Sequence, residues 1–121
     1  GVIDMVTSDH NPLNIELKNL EFDNADFGSI GLESFYGALN KIFSSKTTID
    51  ILTRGKQIFD IKNSVIKIGE LADLTLFNPS KDYIFNKEHI HSISKNSIFT
   101  ETKLKGIVYG TISNGKLTTN E

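Results

Sequence analysis

Asp9 and His10 stand together in the string Ser8-Asp9-His10-Asn11-Pro12, directly after the apolar, β-branched run Val2-Ile3-Asp4-Met5-Val6-Thr7. A carboxylate in such a place can ligate a divalent metal and pass a proton between a bound water and a substrate. The same residues also suit a turn or a helix cap, because Asp bonds nearby backbone readily and Pro12 holds Asn11 extended. A second cluster, His89-Ile90-His91, places two imidazoles on one face of an extended segment. Here the bland reading is preferred: no sustained apolar strand precedes the pair, Lys87 and Glu88 mark a solvated stretch, and two ligands do not complete a site.

The elements that must position these groups follow from hydrophobic pattern and turn chemistry. Val2 to Thr7 has the composition of a buried strand opening into a loop. From Leu13 to Phe27 no period is sustained, as in a long functional loop. Leu32, Phe35, Tyr36, Leu39, Ile42 and Phe43 recur at three- and four-residue spacing, which predicts a helix over 29–45. Thr47, followed three residues later by Asp50, resembles a capping box. Ile51, Leu52, Gly55, Ile58 and Phe59 then continue a shorter helix over 47–60.

After Asn63-Ser64 the pattern turns to strands, Val65 to Ile68 and Ala72 to Phe77, the second ending at Asn78-Pro79. Ser80 to Lys103 is polar and weakly periodic, with Tyr83, Phe85 and Phe99 as anchors, and is expected to hold little regular structure. Gly106 to Ile112 forms a further strand. Asn114-Gly115 is a strong hairpin signal, since both central residues of that turn need positive φ, and Lys116 to Thr119 return antiparallel.

This order is that of an α+β fragment. A lone parallel-type strand needs partners on both edges, and nothing downstream supplies them, so its sheet is expected to lie upstream. At the C-terminal end of a parallel β/α barrel strand, catalytic side chains project into the site. A complete (β/α)8 barrel takes about 250 residues, so 121 residues hold at most its last strand and helices. Residues 1–62 are read as the C-terminal end of a barrel and 63–121 as a small antiparallel β-domain. In the chain alone the first strand is expected to be left irregular or re-paired, for instance in a homodimer.

Composition narrows the function classes. A formal charge of −2 from interspersed charges leaves no basic stripe for nucleic acid. The absence of cysteine excludes a disulfide framework and a thiolate zinc site, and is compatible with a cytoplasmic location. No apolar run approaches the roughly 20 residues of a membrane helix, and Gly106 and Gly110 belong to a β-patterned segment and no membrane motif.

Val6-Thr7-Ser8-Asp9-His10-Asn11-Pro12, then Lys18, Phe27-Gly28 and Gly31-Leu32-Glu33, resembles the dihydroorotase pattern around its final barrel strand. Ile66-Lys67-x-Gly69 with Ala72-Asp73-Leu74-Thr75-Leu76-Phe77 resembles the amidohydrolase return into its small β-domain. Ser94-Lys95-Asn96-Ser97-Ile98-Phe99 and Leu104-Lys105-Gly106 are similar to the closing segment, with Ile98 where the family has Pro. The resemblance implies a whole protein that interconverts N-carbamoyl-L-aspartate and dihydroorotate, a cyclic amide, at a zinc site, for pyrimidine biosynthesis. It implies that Asp9 is metal ligand and proton shuttle and that Phe27 and Gly28 offer main-chain groups to the substrate; His10, to which it gives no clear role, is read as support for the loop. One carboxylate is too few for a catalytic zinc, so the chain by itself is expected to bind none stoichiometrically and to be inactive.

One departure bears on substrate. Dihydroorotases commonly read Asp-His-Ala-Pro-His, and the second His, which contacts the substrate carboxylate, falls on Leu13, which cannot donate a hydrogen bond. Allantoinases share Ser-Asp-His-x-Pro, carry a Leu-Lys pair comparable to Leu17-Lys18, and lack that His, so an allantoinase or hydantoinase type is the nearest rival. A third reading is a non-catalytic homologue that serves as structural partner of aspartate transcarbamoylase.

Overall fold

Two long strands dominate the computed structural model, which describes residues 2–120. β1 (Leu74–Phe85) and β2 (Thr102–Ser113) run antiparallel, and β3 (Lys116–Thr119) pairs with the far edge of β2, giving the order β1-β2-β3. The β2–β3 turn is made by Asn114 (φ 50) and Gly115 (φ 73), the left-handed pair expected of this dipeptide.

The register of β1 against β2 runs from Leu74 opposite Ile112 to Phe85 opposite Thr102, and is broken between Asn78 and Asp82. Pro79 sits in that break, where its missing N–H interrupts no ladder bond. The strand therefore passes through the proline that was expected to end it, and residues 80–85, assigned little regular structure, are its second half. The strand expected over 106–112 likewise begins earlier, at Thr102.

The helices precede the sheet: α1 (Leu32–Ile42), α2 (Ser45–Thr53) and the single turn α3 (Gly55–Ile58). α1 is shorter than predicted because residues 29–31 are committed elsewhere. Ile30 N–H donates to the Asn96 carbonyl at 2.9 Å, and the Ser29 carbonyl accepts from Asn11 N–H at 3.0 Å. At its other end Phe43 turns extended. The helix predicted over 47–60 is two pieces, and its cap is Ser44, whose hydroxyl accepts from Thr47 N–H at 3.2 Å. Asp50 closes no capping box and pairs instead with Lys46 at 2.6 Å, one helical turn away.

α1 packs on β2 with Ser34, Gly37 and Asn40 buried, while Leu32 and Ile42 of its apolar face stay 63% and 74% exposed. Small residues allow the close approach: a Cβ on Gly37 would lie 2.7 Å from the Tyr83 hydroxyl and 3.1 Å from Leu104 Cβ. Asn40 stitches three segments together, donating to the carbonyls of Pro79 (2.8 Å) and Lys105 (3.0 Å) and accepting from the Ser45 hydroxyl (2.8 Å). The core proper is Ile30, Phe85, Ile90 and Leu104, with Ala38, Tyr83 and Phe99 against it.

Val2–Thr7 is irregular, one of the two outcomes expected for the chain alone, and the strand expected over Val65–Ile68 is absent. Val2–Thr7 carries no strand structure, Val2 is fully exposed, and Val6 N–H reaches the Ile51 carbonyl only at 3.4 Å. Strand geometry needs neighbours to bond to, and the segment finds none, so it is left irregular. Val65–Ile68 also forms no strand, and Ile66 and Ile68 project outward. No barrel is formed by these residues.

Candidate active-site loop

The loop Ser8–Leu13 is anchored on the segment that leads into α1. The N-cap of α1 is Gly31, which has no side chain with which to meet the first helical N–H groups. His10 supplies the acceptor from 21 residues upstream: its Nδ1 accepts from Gly31 N–H at 3.1 Å and from Leu32 N–H at 3.2 Å. On the other side of Asp9, the Ser8 carbonyl abuts Gly31 so closely that a Cβ there would sit 2.6 Å from it. Asn11 completes the anchoring, with its N–H on the Ser29 carbonyl at 3.0 Å and its amide Nδ2 on the Phe27 carbonyl at 3.0 Å. Between these fixed residues Asp9 adopts φ 45, a left-handed conformation that Asp tolerates better than most residues, and stands exposed.

Phe27 and Gly28, expected at the same site, lie against Asn11 and Leu13 of this loop. A Cβ on Gly28 would meet Asn11 Nδ2 and Leu13 Cδ1, each at 2.8 Å, so only glycine admits the two segments at this distance. The Phe27 carbonyl accepts from Asn11, and the Gly28 carbonyl from Asn96 Nδ2 at 2.9 Å; each oxygen keeps a second lone pair. The Phe27 ring is almost wholly exposed. Lys18 folds back to donate its ammonium to the Asp26 carbonyl, closing the base of the 13–27 loop.

Glu33, in the first turn of α1, fastens the loop's platform to the closing segment. Its Oε1 accepts from both the N–H and the hydroxyl of Ser92. Burial raises its pKa, but the Ser92 hydroxyl and N–H, its own N–H and the nearby His10 together outweigh that and hold the carboxyl below the ordinary glutamate value. Oε2 is buried with no partner.

The two histidines of the His-x-His pair lie in different settings. His89 is half-buried, its Nδ1 2.7 Å from Asn86 Oδ1 and its ring 5.0 Å from that of Tyr83, while His91 is exposed. Among the described residues no group of three or more His, Cys, Asp or Glu is placed to hold a metal ion. Asp9 is therefore one potential ligand where a catalytic zinc takes about three from protein. Leu13 lies against Gly28 and lines a cleft of about 740 Å³ with Pro12, Lys87, Ile93 and Asn96. Sequence reasoning quoted Gly31 and Asn96 only as parts of motifs and gave neither a role in holding the loop.

No family model matches the chain. It is 33% identical over 123 residues to a dihydroorotase from Thermoanaerobacter sp. (strain X514), covering 97% of the chain and 28% of that protein. It is 37% identical over 125 residues to one from Endomicrobium trichonymphae, covering 97% and 30%, and 34% identical over 128 residues to that of Bacillus subtilis (strain 168), covering 100% and 30%. Over 97% or more of its own length the chain is similar to dihydroorotases.

This dihydroorotase-like chain spans between 28% and 30% of the length of those relatives and matches the C-terminal part of such proteins. Among solved structures it superposes on a D-hydantoinase with TM-score 0.78 at 22% identity, over 100% of the chain and 29% of that structure. A D-hydantoinase (dihydropyrimidinase) from Thermus sp. gives TM-score 0.79 at 21% identity, over 96% and 28%. At such identities the likeness shows a shared fold. The dihydroorotase-like fold seen here is the small three-stranded sheet with its helices, and no helix among the described residues is long and apolar enough to cross a membrane.

Proposed function

We propose that the chain is the C-terminal portion of a dihydroorotase that interconverts N-carbamoyl-L-aspartate and dihydroorotate in pyrimidine biosynthesis. Residues 1–62 would complete its barrel and 63–121 form its small β-domain, in a cytoplasmic enzyme. The observation that carries this reading is the placement of Asp9, an exposed carboxylate at φ 45 between two anchored residues, in a loop whose Asn11 and Leu13 meet Phe27 and Gly28. In the hydrolytic direction water adds to the ring carbonyl carbon and the C–N bond breaks. Asp9 takes the proton lost by the water and delivers it to the departing amide nitrogen. Phe27 and Gly28 offer main-chain groups to the ring.

The residues present fit one contribution to a metal centre: Asp9 is a hard oxygen donor, and the remaining ligands come from outside the chain. When bound, zinc supplies Lewis-acid polarisation and a lowered pKa for the attacking water. By itself the chain is proposed to be inactive and to hold no stoichiometric zinc; one tightly bound equivalent by elemental analysis contradicts this. Asp9→Asn in the whole protein tests the assignment. Dihydroorotate hydrolysis, followed by absorbance, is expected to fall by about 10²- to 10⁴-fold. Turnover near the wild-type rate removes Asp9 from the chemistry.

Leu13 favours a second reading. A hydrocarbon packed against Gly28 offers no donor to a substrate carboxylate, which suits the uncharged rings of allantoin or hydantoins better. Assaying the whole protein on dihydroorotate, allantoin and hydantoin separates the two, and turnover of none of them supports a non-catalytic partner of aspartate transcarbamoylase.

A further inference from the structure

We infer that His10 is the positioning residue for Asp9, acting as the N-cap of α1 from a distant segment. The inference rests on the catalytic reading of Asp9 given above. A helix start leaves its first N–H groups without intrahelical partners, and Gly31 has no side chain to meet them. The His10 imidazole takes two of them on a single nitrogen, Gly31 at 3.1 Å and Leu32 at 3.2 Å. An Nδ1 that accepts leaves the ring proton on Nε2.

The geometry around Asp9 shows what this bond does. Ser8, His10 and Asn11 each register on residues 29–32, through the Ser8 carbonyl against Gly31, the imidazole on Gly31 and Leu32, and Asn11 N–H on Ser29. Asp9, between them, takes φ 45 and is exposed. A non-glycine residue in the left-handed region persists only where its surroundings over-determine it. Asp9 has one such constraint before it and two after it, and the His10 bond is the only one of the three made by a side chain through a replaceable atom. The platform is itself rigidly referenced: Ile30 is in the core and bonds Asn96, and Glu33 bonds Ser92. Aim is thus transmitted from the core through the α1 start and the His10 ring to the Asp9 backbone.

Substitution in the whole protein separates positioning from bulk stability. His10→Asn keeps an acceptor at the Nδ1 position, because Asn Oδ1 is equally many bonds from Cα. His10→Gln moves the acceptor one bond outward, and His10→Leu removes it. For Leu and Gln, kcat on dihydroorotate is expected to fall about 10- to 100-fold, with KM changed less than about threefold, and Asn is expected to restore most of kcat. Wild-type kcat in the Leu variant, or equal loss in Asn and Gln, overturns the inference. If the Leu variant does not fold, the Asn and Gln comparison decides alone. Asp9→Asn is run beside them. Retained turnover there defeats the reading of Asp9, whereas an inactive Asp9→Asn with a fully active His10→Leu defeats only the positioning role. In the unsubstituted protein, nitrogen-edited NMR is expected to place the His10 proton on Nε2, and a proton on Nδ1 counts against the cap.

Discussion

The carbonyl oxygen of Ser8 occupies the space where a side chain on Gly31 would begin, 2.6 Å from an ideal Cβ. Gly31 has φ −134, a value open to any residue, so its requirement for glycine is one of contact and owes nothing to backbone strain. Gly31→Ala should therefore push the Ser8–His10 turn away from α1, costing about 1–3 kcal/mol by overpacking and lowering activity of the whole protein about tenfold or more. Paired denaturation and rate measurements check both effects; an alanine variant with unchanged rate shows that the turn tolerates displacement.

Glu33 gives a pH dependence with a definite sign. Its carboxyl is held below the ordinary value because, despite burial, the Ser92 hydroxyl and N–H favour the charged form. The folded state thus binds this proton more weakly than the unfolded chain. The stability it contributes is full above the unfolded pKa and is lost as pH falls through the lower folded value. Glu33→Gln should lower the urea midpoint at about pH 7, and the gap to the parent should close as pH falls below the ordinary glutamate value. A gap that widens in acid would reverse the assignment.

Asn40 is buried and serves three partners, so truncating it orphans two carbonyls at once. Asn40→Ala should cost about 3 kcal/mol, most of it the desolvation of the Pro79 and Lys105 oxygens. Chemical denaturation measures the loss, and a value under about 1 kcal/mol would mean that water replaces the amide.

Thr48 presents the opposite case: it is fully buried in α2 and its hydroxyl has no partner. Thr48→Val keeps the shape and removes the unpaired group, so the variant should be more stable by about 1 kcal/mol. A thermal scan showing a lower midpoint would reveal a hydroxyl bond that the static packing does not contain.

Much of the sheet and of the site was legible from short stretches. Asn114-Gly115 specified its turn because two left-handed residues in a row suit few other pairs, and the α1 periodicity located a helix within three residues at either end. Asp9 and His10 stood out by residue type and setting, and Phe27 and Gly28 by family resemblance; the structure puts His10 on Gly31 and Leu32, and Asn11 against Phe27 and Gly28. What escaped the sequence depended on bonds across long separations. Pro79 looked like a strand end, yet a break in register lets β1 pass through it. The helix start looked like Ser29, yet residues 29–31 were claimed by Asn11, His10 and Asn96.

Local residue order determined where helices and turns could form and which side chains were chemically competent, because propensity and turn geometry act over a few neighbouring residues. Tertiary structure alone decided which face of α1 is buried, and it chose the small-residue stripe Ser34, Gly37 and Asn40 over the apolar one. It alone also decided that Val65–Ile68 is not a strand and that the imidazole at position 10 caps a helix 21 residues away. The reason is that buried area and hydrogen-bond partners are properties of what else is present in space, and a strand without a neighbour or a helix end without a cap is satisfied by whichever group the rest of the fold delivers.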